Sequence, residues 1–272
     1  MFKGISDWAF REAASGEAII RMASRMGFDG VEFNVYEEDA PISLKRSLAE
    51  FKQLAEAATD CGVLLPSLST SLHNAYSLTS NNKIIRQKGI DLGKRMIEIA
   101  SALGAKTILV VPGNVDAEIP YDRAYASAQE ALLLLAPEAS SAGIAIGVEN
   151  VWNGFLLSPL EFAVFLDELN EPAIRAYFDV GNAMNAGYPE QWIRLLGTRL
   201  AGVHMKDFRP EAGKGHQVVP FFYGDVNWAA VMDALRCVNY EGFLIATPPS
   251  RSGSPERHMR NVSDDIGEIM EL

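Results

Sequence analysis

The sequence has few cysteines, few basic residues and no long apolar run. Two cysteines among 272 residues, Cys61 and Cys237, supply no disulfide framework or thiolate metal site. Both fall in helix-like stretches, where the expected role is a small buried apolar side chain. Basic residues are outnumbered, 24 Lys and Arg against 35 Asp and Glu, giving a net charge of −11. Such an acidic surface repels phosphate backbones and excludes nucleic acid as a partner. No apolar run approaches the ~18 residues of a membrane span, so no membrane partner is expected. The N-terminal Met1-Phe2-Lys3-Gly4-Ile5-Ser6-Asp7 lacks the apolar core of a secretory signal. A soluble, cytoplasmic protein is the expectation from these absences. There is also no linker, low-complexity run or charge block, so residues 1–272 are expected to form one domain. At 48% hydrophobic and 22% charged, the chain can bury a large core.

What the sequence does have is a recurring punctuation. A helical pattern ends in glycine and an apolar strand starts within a few residues, at Gly27, Gly62, Gly104 and Gly143, at intervals of 35, 42 and 39 residues. Glycine just past a helix takes the left-handed cap conformation without steric cost. The intervals match one strand–loop–helix unit. Eight candidate strands are counted, over residues 3–8, 30–35, 63–69, 106–111, 144–150, 175–180, 200–205 and 242–247. Helical patterns lie between them. The clearest spans 83–103, where Ile85, Leu92 and Ile99, and Met96 and Leu103, recur at seven-residue steps. Ser158-Pro159-Leu160-Glu161, Asn227-Trp228 and Ser254-Pro255-Glu256 read as helix starts. The strands are apolar on both faces, as a helix-covered parallel sheet requires. The fold class is α/β, a single (β/α)8 TIM barrel. An open doubly wound sheet ranks below it, because no Gly-rich phosphate loop follows the first strand.

A barrel of this kind gathers its chemistry at the C-terminal strand ends. Three consecutive strands end in metal-capable side chains: Gly147-Val148-Glu149-Asn150, Phe178-Asp179-Val180-Gly181-Asn182 and Val203-His204-Met205-Lys206-Asp207. Parallel neighbours aim Glu149, Asp179 and His204 at one point. Two carboxylates and an imidazole suit a divalent cation, Mn²⁺, Mg²⁺ or Co²⁺ and less specifically Zn²⁺. A lone Glu or His at a strand end is usually a solvated or satisfied rim residue, and it is the set of three that favours a metal. Other polar groups at the rim are Glu32 and Asn34, Ser67 to Ser71 with His73, and Asn114.

These motifs, with Gly224-Asp225-Val226-Asn227-Trp228 and Tyr240-Glu241-Gly242-Phe243-Leu244, resemble the xylose-isomerase-like barrels of sugar isomerases and epimerases. Within them the pattern looks like the ketose and pentulose-phosphate 3-epimerases, over nearly the whole chain. The resemblance implies that Glu149, Asp179 and His204 hold the metal, that Glu149 is also the catalytic base, and that Asn182 contacts substrate. It also implies a homodimer or homotetramer. In the family the last strand ends in a second glutamate, a fourth ligand and second acid/base. Here that place falls at Ala246 or, with a one-residue slip, at Thr247.

The implied reaction is isomerisation or epimerisation of a small ketose, ketose phosphate or sugar acid through an enediolate. Inversion at C3 needs a proton donor on each face. Lys206, Asp207, Glu32 and His73 are the candidates to replace the missing glutamate. Isomerisation between C1 and C2 runs with Glu149 alone. A non-catalytic sugar-binding barrel and a polyol dehydratase on the same fold stay open as alternatives. The multi-zinc endonuclease branch is discounted, with only four histidines present. Lys206, Arg209, Lys214 and His216 fit a phosphate or carboxylate subsite and a solvated loop equally. Phe221-Phe222-Tyr223 is the expected aromatic wall against a sugar ring, while Trp152, Trp192, Trp228 and Phe155 read mostly as packing.

Overall fold

The computed structural model describes residues 1–10, 15–38, 40–211, 215–249 and 254–272. Eight parallel strands close a barrel, numbered here β1 (Phe2–Ser6), β2 (Gly30–Tyr36), β3 (Ser67–Ser69), β4 (Thr107–Val110), β5 (Ala145–Glu149), β6 (Ile174–Asp179), β7 (Leu200–Met205) and β8 (Phe243–Ala246). Each pairs with its sequence neighbours, and β1 pairs with both β2 and β8, which closes the ring. All eight expected strands are present, most of them shorter than expected by a residue or more at an end.

Among the described residues eight helices cover the barrel: α1 (Gly16–Arg25), α2 (Leu48–Asp60), α3 (Lys83–Leu103), α4 (Tyr121–Ala142), α5 (Pro159–Leu169), α6 (Pro189–Leu196), α7 (Trp228–Cys237) and α8 (Pro255–Glu271). The expected starts hold. Ser158, Asn227 and Ser254 each accept the backbone N–H three residues on, satisfying a helix-end donor. Gly27, Gly62, Gly104 and Gly143 all have positive φ, from 65° to 81°. On α3 the stripe Leu92, Met96, Ile99 and Leu103 is buried, with Ile85 half-buried at its start. The cysteines depart from expectation: Cys61 is half-buried and Cys237 exposed, since both fall at helix C-termini near the surface. Among the described residues no helix is long and apolar enough to cross a membrane.

Two additions to the barrel were not read from the sequence. A two-residue strand, Ile42–Ser43, extends the sheet beside β2. An antiparallel hairpin, Asp207–Glu211 with Gly215–Val219, rises directly from the end of β7.

Register positions the site. Asp179 lies opposite His204, and Glu149 opposite Tyr177. Between Ala176 and Tyr177 the β6–β7 pairing shifts, so that Leu200 and then Gly202 face consecutive residues of β6. This bulge adds one residue to β7, and such insertions re-aim side chains. Here it puts Gly202 and His204 beside Tyr177 and Asp179. Neighbouring parallel strands in register share a face, so the side chains of Tyr177, Asp179 and His204 point into the barrel.

Candidate metal and active site

Inside the C-terminal mouth lies a cavity of about 270 Å³. Glu149, His204, Glu32, Asn182, Lys206 and Thr247 all line it. Glu149, Asp179 and His204, all buried, offer one ligand atom each within 4.8 Å of one another. His204 Nδ1 lies 3.1 Å from Glu149 Oε1 and 3.7 Å from Asp179 Oδ2. Lys206 Nζ completes the cluster, 2.7 Å from Asp179 Oδ2.

Asp179 is held by its neighbours. Its Oδ1 accepts the Asn182 N–H at 2.8 Å, capping the helical turn Val180–Ala183. Its backbone exchanges two hydrogen bonds with the Asn150 amide, and Asn182 Nδ2 donates to the Asn150 carbonyl at 2.9 Å. Asn150 and Asn182 therefore fix the strand end, and Asn182 also faces the cavity. Its Oδ1 accepts weakly from Lys206 Nζ at 3.5 Å.

Below this cluster sits Glu32, with no exposed surface. Glu32 Oε1 meets His204 Nε2 at 2.8 Å, and Glu32 Oε2 accepts from Tyr177 OH at 2.5 Å and Ser67 Oγ at 2.7 Å. Burial disfavours its charge, yet His204, Tyr177 and Ser67 outweigh that and hold its carboxyl below the usual range. For His204 burial again opposes charge, and Glu32 and Glu149 on either side lift it to about 10. Burial also pushes the Glu149 carboxyl up, against the pull of His204 and Lys206. A raised carboxyl is a stronger base once ionised.

The walls are partly aromatic, though not as expected. Trp8, 42% exposed, and Trp152, 50% exposed, flank the cavity. Trp152 donates to the Asn182 carbonyl at 3.1 Å and packs edge-on against Phe208. Trp8 was not singled out by sequence; its signal is its place two residues beyond β1. Phe221 instead packs under the rim against Trp228, and Phe222 and Tyr223 point away from the cavity into solvent. Trp192, Trp228 and Phe155 are buried packing residues.

Three expected substrate contacts lie elsewhere. Asp207 is buried and its carboxylate is already engaged, accepting from the backbone N–H groups of Phe208, Val226 and Gly224 and from Trp228 Nε1 at 2.9 to 3.3 Å. It ties the hairpin to the start of α7. His73, 1% exposed, is not among the cavity residues. Neither ring nitrogen makes a hydrogen bond of ordinary geometry, and burial lowers its pKa to about 4 against a partial offset from the Gly89 backbone. Arg209 is exposed on the hairpin and does not line the cavity. Lys214 and the side chain of His216 lie outside the described residues. Glu32 faces the cavity but its oxygens are committed to His204, Tyr177 and Ser67.

The strand-8 question resolves by register. Ile245 lies opposite His204, so Thr247, two residues on, faces the cavity and Ala246 faces the helix layer. No carboxylate stands at either position.

Donors held about 2.1 Å from one ion lie about 3 Å apart when adjacent and about 4.2 Å when opposite. The distances from His204 Nδ1 to Glu149 Oε1 and Asp179 Oδ2, 3.1 and 3.7 Å, fall within that range. Asp179 Oδ2 is buried and accepts no hydrogen bond of ordinary geometry; it faces Lys206 Nζ at 2.7 Å and His204 Nδ1 at 3.7 Å. The mixed oxygen and nitrogen set suits a divalent cation.

Comparison with known proteins agrees with this architecture. A family model described as "Xylose isomerase-like TIM barrel" matches residues 20–267. The L-ribulose-5-phosphate 3-epimerase UlaE of Salmonella typhi is 26% identical over 248 residues, covering 90% of this chain and 86% of that protein. Among solved structures, an L-ribulose 3-epimerase superposes with a TM-score of 0.81 at 18% identity, covering 99% of this chain and 94% of that one. The 3-keto-D-glucoside 4-epimerase YcjR from E. coli, in its apo form, gives 0.80 at 16% identity with complete coverage of both chains. The chain belongs to the xylose isomerase-like TIM barrel family.

Proposed function

We propose that this protein is a divalent-metal-dependent epimerase or isomerase of a small ketose, ketose phosphate or sugar acid. The observation that supports the reading is the convergence of Glu149, Asp179 and His204 at the strand C-termini, where Glu149 and His204 line the cavity. Glu149, Asp179 and His204 would hold the cation. When bound, it supplies Lewis-acid polarisation of a carbonyl and offsets negative charge beside it. Glu149 takes the proton from the carbon next to the carbonyl, and its buried, raised carboxyl suits that task. Asn182 and Lys206 face the same space and orient substrate hydroxyls. Lys206 is the second proton-bearing group at the rim, where inversion requires one on the face opposite Glu149. The relative named as an L-ribulose-5-phosphate 3-epimerase supports a ketose phosphate as the first substrate to try.

A second reading, sugar binding without turnover, is favoured by Thr247, which presents a hydroxyl to the cavity and no carboxylate. One experiment separates the two. L-ribulose 5-phosphate and a panel of free ketoses are incubated with Mn²⁺-loaded protein in D₂O and followed by proton NMR. Deuterium entering the carbon beside the carbonyl, with loss of that exchange in Glu149→Gln, supports catalysis. Substrate binding without any exchange sinks it in favour of the second reading.

A further inference from the structure

Glu32 was a candidate substrate contact by sequence, and its surroundings give it another task. It is fully buried on β2, on the side of the His204 ring away from Glu149 and Asp179. It is not one of the three residues whose ligand atoms cluster. Its Oε1 engages His204 Nε2, which leaves Nδ1 aimed at Glu149 and Asp179. Its Oε2 is fixed by two hydroxyls from opposite sides of the barrel, Tyr177 on β6 and Ser67 on β3. The hydroxyls also touch each other, at 3.0 Å.

Room for the Tyr177 ring comes from two glycines on the flanking strands. A Cβ on Gly147 would stand 2.8 Å from the ring, and one on Gly202 only 2.4 Å. The ring itself packs edge-on to His204, with centroids 4.8 Å apart. Five residues on five strands, Glu32, Ser67, Gly147, Tyr177 and Gly202, thus build one support under one imidazole. A histidine that ligates a metal through one nitrogen is oriented by the partner of the other, and a carboxylate there raises its basicity.

We infer that Glu32, locked by Tyr177 and Ser67, is a positioning residue that holds the His204 ring with Nδ1 toward the metal position and strengthens it as a ligand. This rests on the metal reading proposed above. It assigns Glu32 to the metal centre without making it a ligand or a substrate contact.

The test uses Co²⁺, whose visible absorption reports both affinity and ligand field. Metal-stripped full-length protein is titrated as wild type, Glu32→Gln, Tyr177→Phe and Asp207→Asn, each checked for fold by near-ultraviolet circular dichroism and thermal midpoint. Glu32→Gln is expected to weaken Co²⁺ binding on the order of 10- to 100-fold and to shift the absorption bands. Tyr177→Phe removes one hydrogen bond to Glu32 and is expected to cost about fivefold. Asp207→Asn, a stability control whose carboxylate is engaged by Phe208, Gly224, Val226 and Trp228, is expected to lower the midpoint while leaving Co²⁺ affinity and spectrum unchanged. A folded Glu32→Gln that binds Co²⁺ like the wild type, with the same bands, overturns the inference. Should Glu32→Gln fail to fold, an unchanged affinity in Tyr177→Phe overturns it instead. A wild type that binds no Co²⁺ overturns the metal reading itself, and this inference with it, which is a distinguishable result.

Discussion

Lys206 Nζ lies 2.7 Å from Asp179 Oδ2, an ion pair inside the group of side chains that would hold a dication. Asp179 has no exposed surface and the Lys206 side chain little. The ammonium is the nearer of two basic groups beside this buried carboxylate, His204 Nδ1 lying at 3.7 Å. It also repels any cation approaching that carboxylate. Removing it therefore has two opposed consequences. Breaking a buried pair costs about 3–5 kcal/mol, so metal-free Lys206→Met should unfold at a markedly lower temperature. The same variant should bind Mn²⁺ more tightly than the wild type, and saturating Mn²⁺ should recover most of the lost midpoint. Thermal scans with and without Mn²⁺ check this; weaker Mn²⁺ binding in Lys206→Met would show that the lysine assists the cation.

Asp207, beside Lys206 in sequence, should behave quite differently. Four donors converge on its carboxylate, and Gly224 approaches so closely that a Cβ there would meet Asp207 Oδ1 at 2.1 Å. Asp207→Asn replaces one acceptor oxygen by a donor facing other donors, at a cost of about 3 kcal/mol. Urea unfolding should show that loss. Turnover per folded molecule should stay near the wild-type level; a variant of full stability but no activity would return Asp207 to the substrate.

The contrast between these neighbours shows what the sequence could and could not convey. Buried parallel strands are short apolar runs closed off by helix-capping glycines, so all eight were legible, and with them the rim that carries Glu149, Asp179 and His204. Asp207 was grouped with His204 and Lys206 because it is adjacent in sequence. Side chains alternate along a strand, and His204 and Lys206 share a face that Asp207 does not. That parity was a usable signal. Tyr177, two residues before Asp179 and therefore on its face, could have been found in the same way. The role of Glu32 could not, since it depends on a hydroxyl 145 residues away. The hairpin after β7 was equally hidden, because its first strand, Asp207-Phe208-Arg209-Pro210-Glu211, is mostly charged and contains a proline. His73 follows β3 in a short turn with no periodicity to place it.

His73 makes a pH prediction. Its pKa is about 4 in the fold, against an ordinary 6.5, because burial disfavours the imidazolium. As pH falls below 6.5 the unfolded chain takes up a proton that the native state refuses. The contribution is thus fully present above pH 6.5 and is lost between pH 6.5 and 4, about 3 kcal/mol in all. Asp7 acts oppositely: burial raises it to about 7, so the fold takes up a proton first and gains stability as pH falls from 7 toward 3.8. The difference between wild type and a folded His73→Phe isolates the histidine. In urea unfolding at pH 7 and 5, the wild type should lose more stability than the variant; equal losses would refute the depressed pKa.

Thr247 allows a gain of function. It faces the cavity from the end of β8, and its backbone N–H is tied to the Met205 carbonyl at 3.0 Å. Thr247→Glu places a third carboxylate beside Glu149 and Asp179, and added ligand charge tightens divalent-cation sites. Mn²⁺ affinity should rise at least tenfold. Ala246→Glu should not reproduce this, because that side chain is buried against the helix layer; it should destabilise the fold instead. Matching affinities in wild type and Thr247→Glu would place the metal away from β8.

The central claim is that Glu149, Asp179 and His204 together bind one divalent cation. Calorimetric titration of metal-stripped protein with Mn²⁺ tests it directly, with Glu149→Gln, Asp179→Asn and His204→Ala as comparisons. Saturable one-to-one binding in the wild type, abolished or strongly weakened in each of the three variants, is the expected result. Absence of wild-type binding up to millimolar Mn²⁺, or binding that survives in all three variants, would contradict the account.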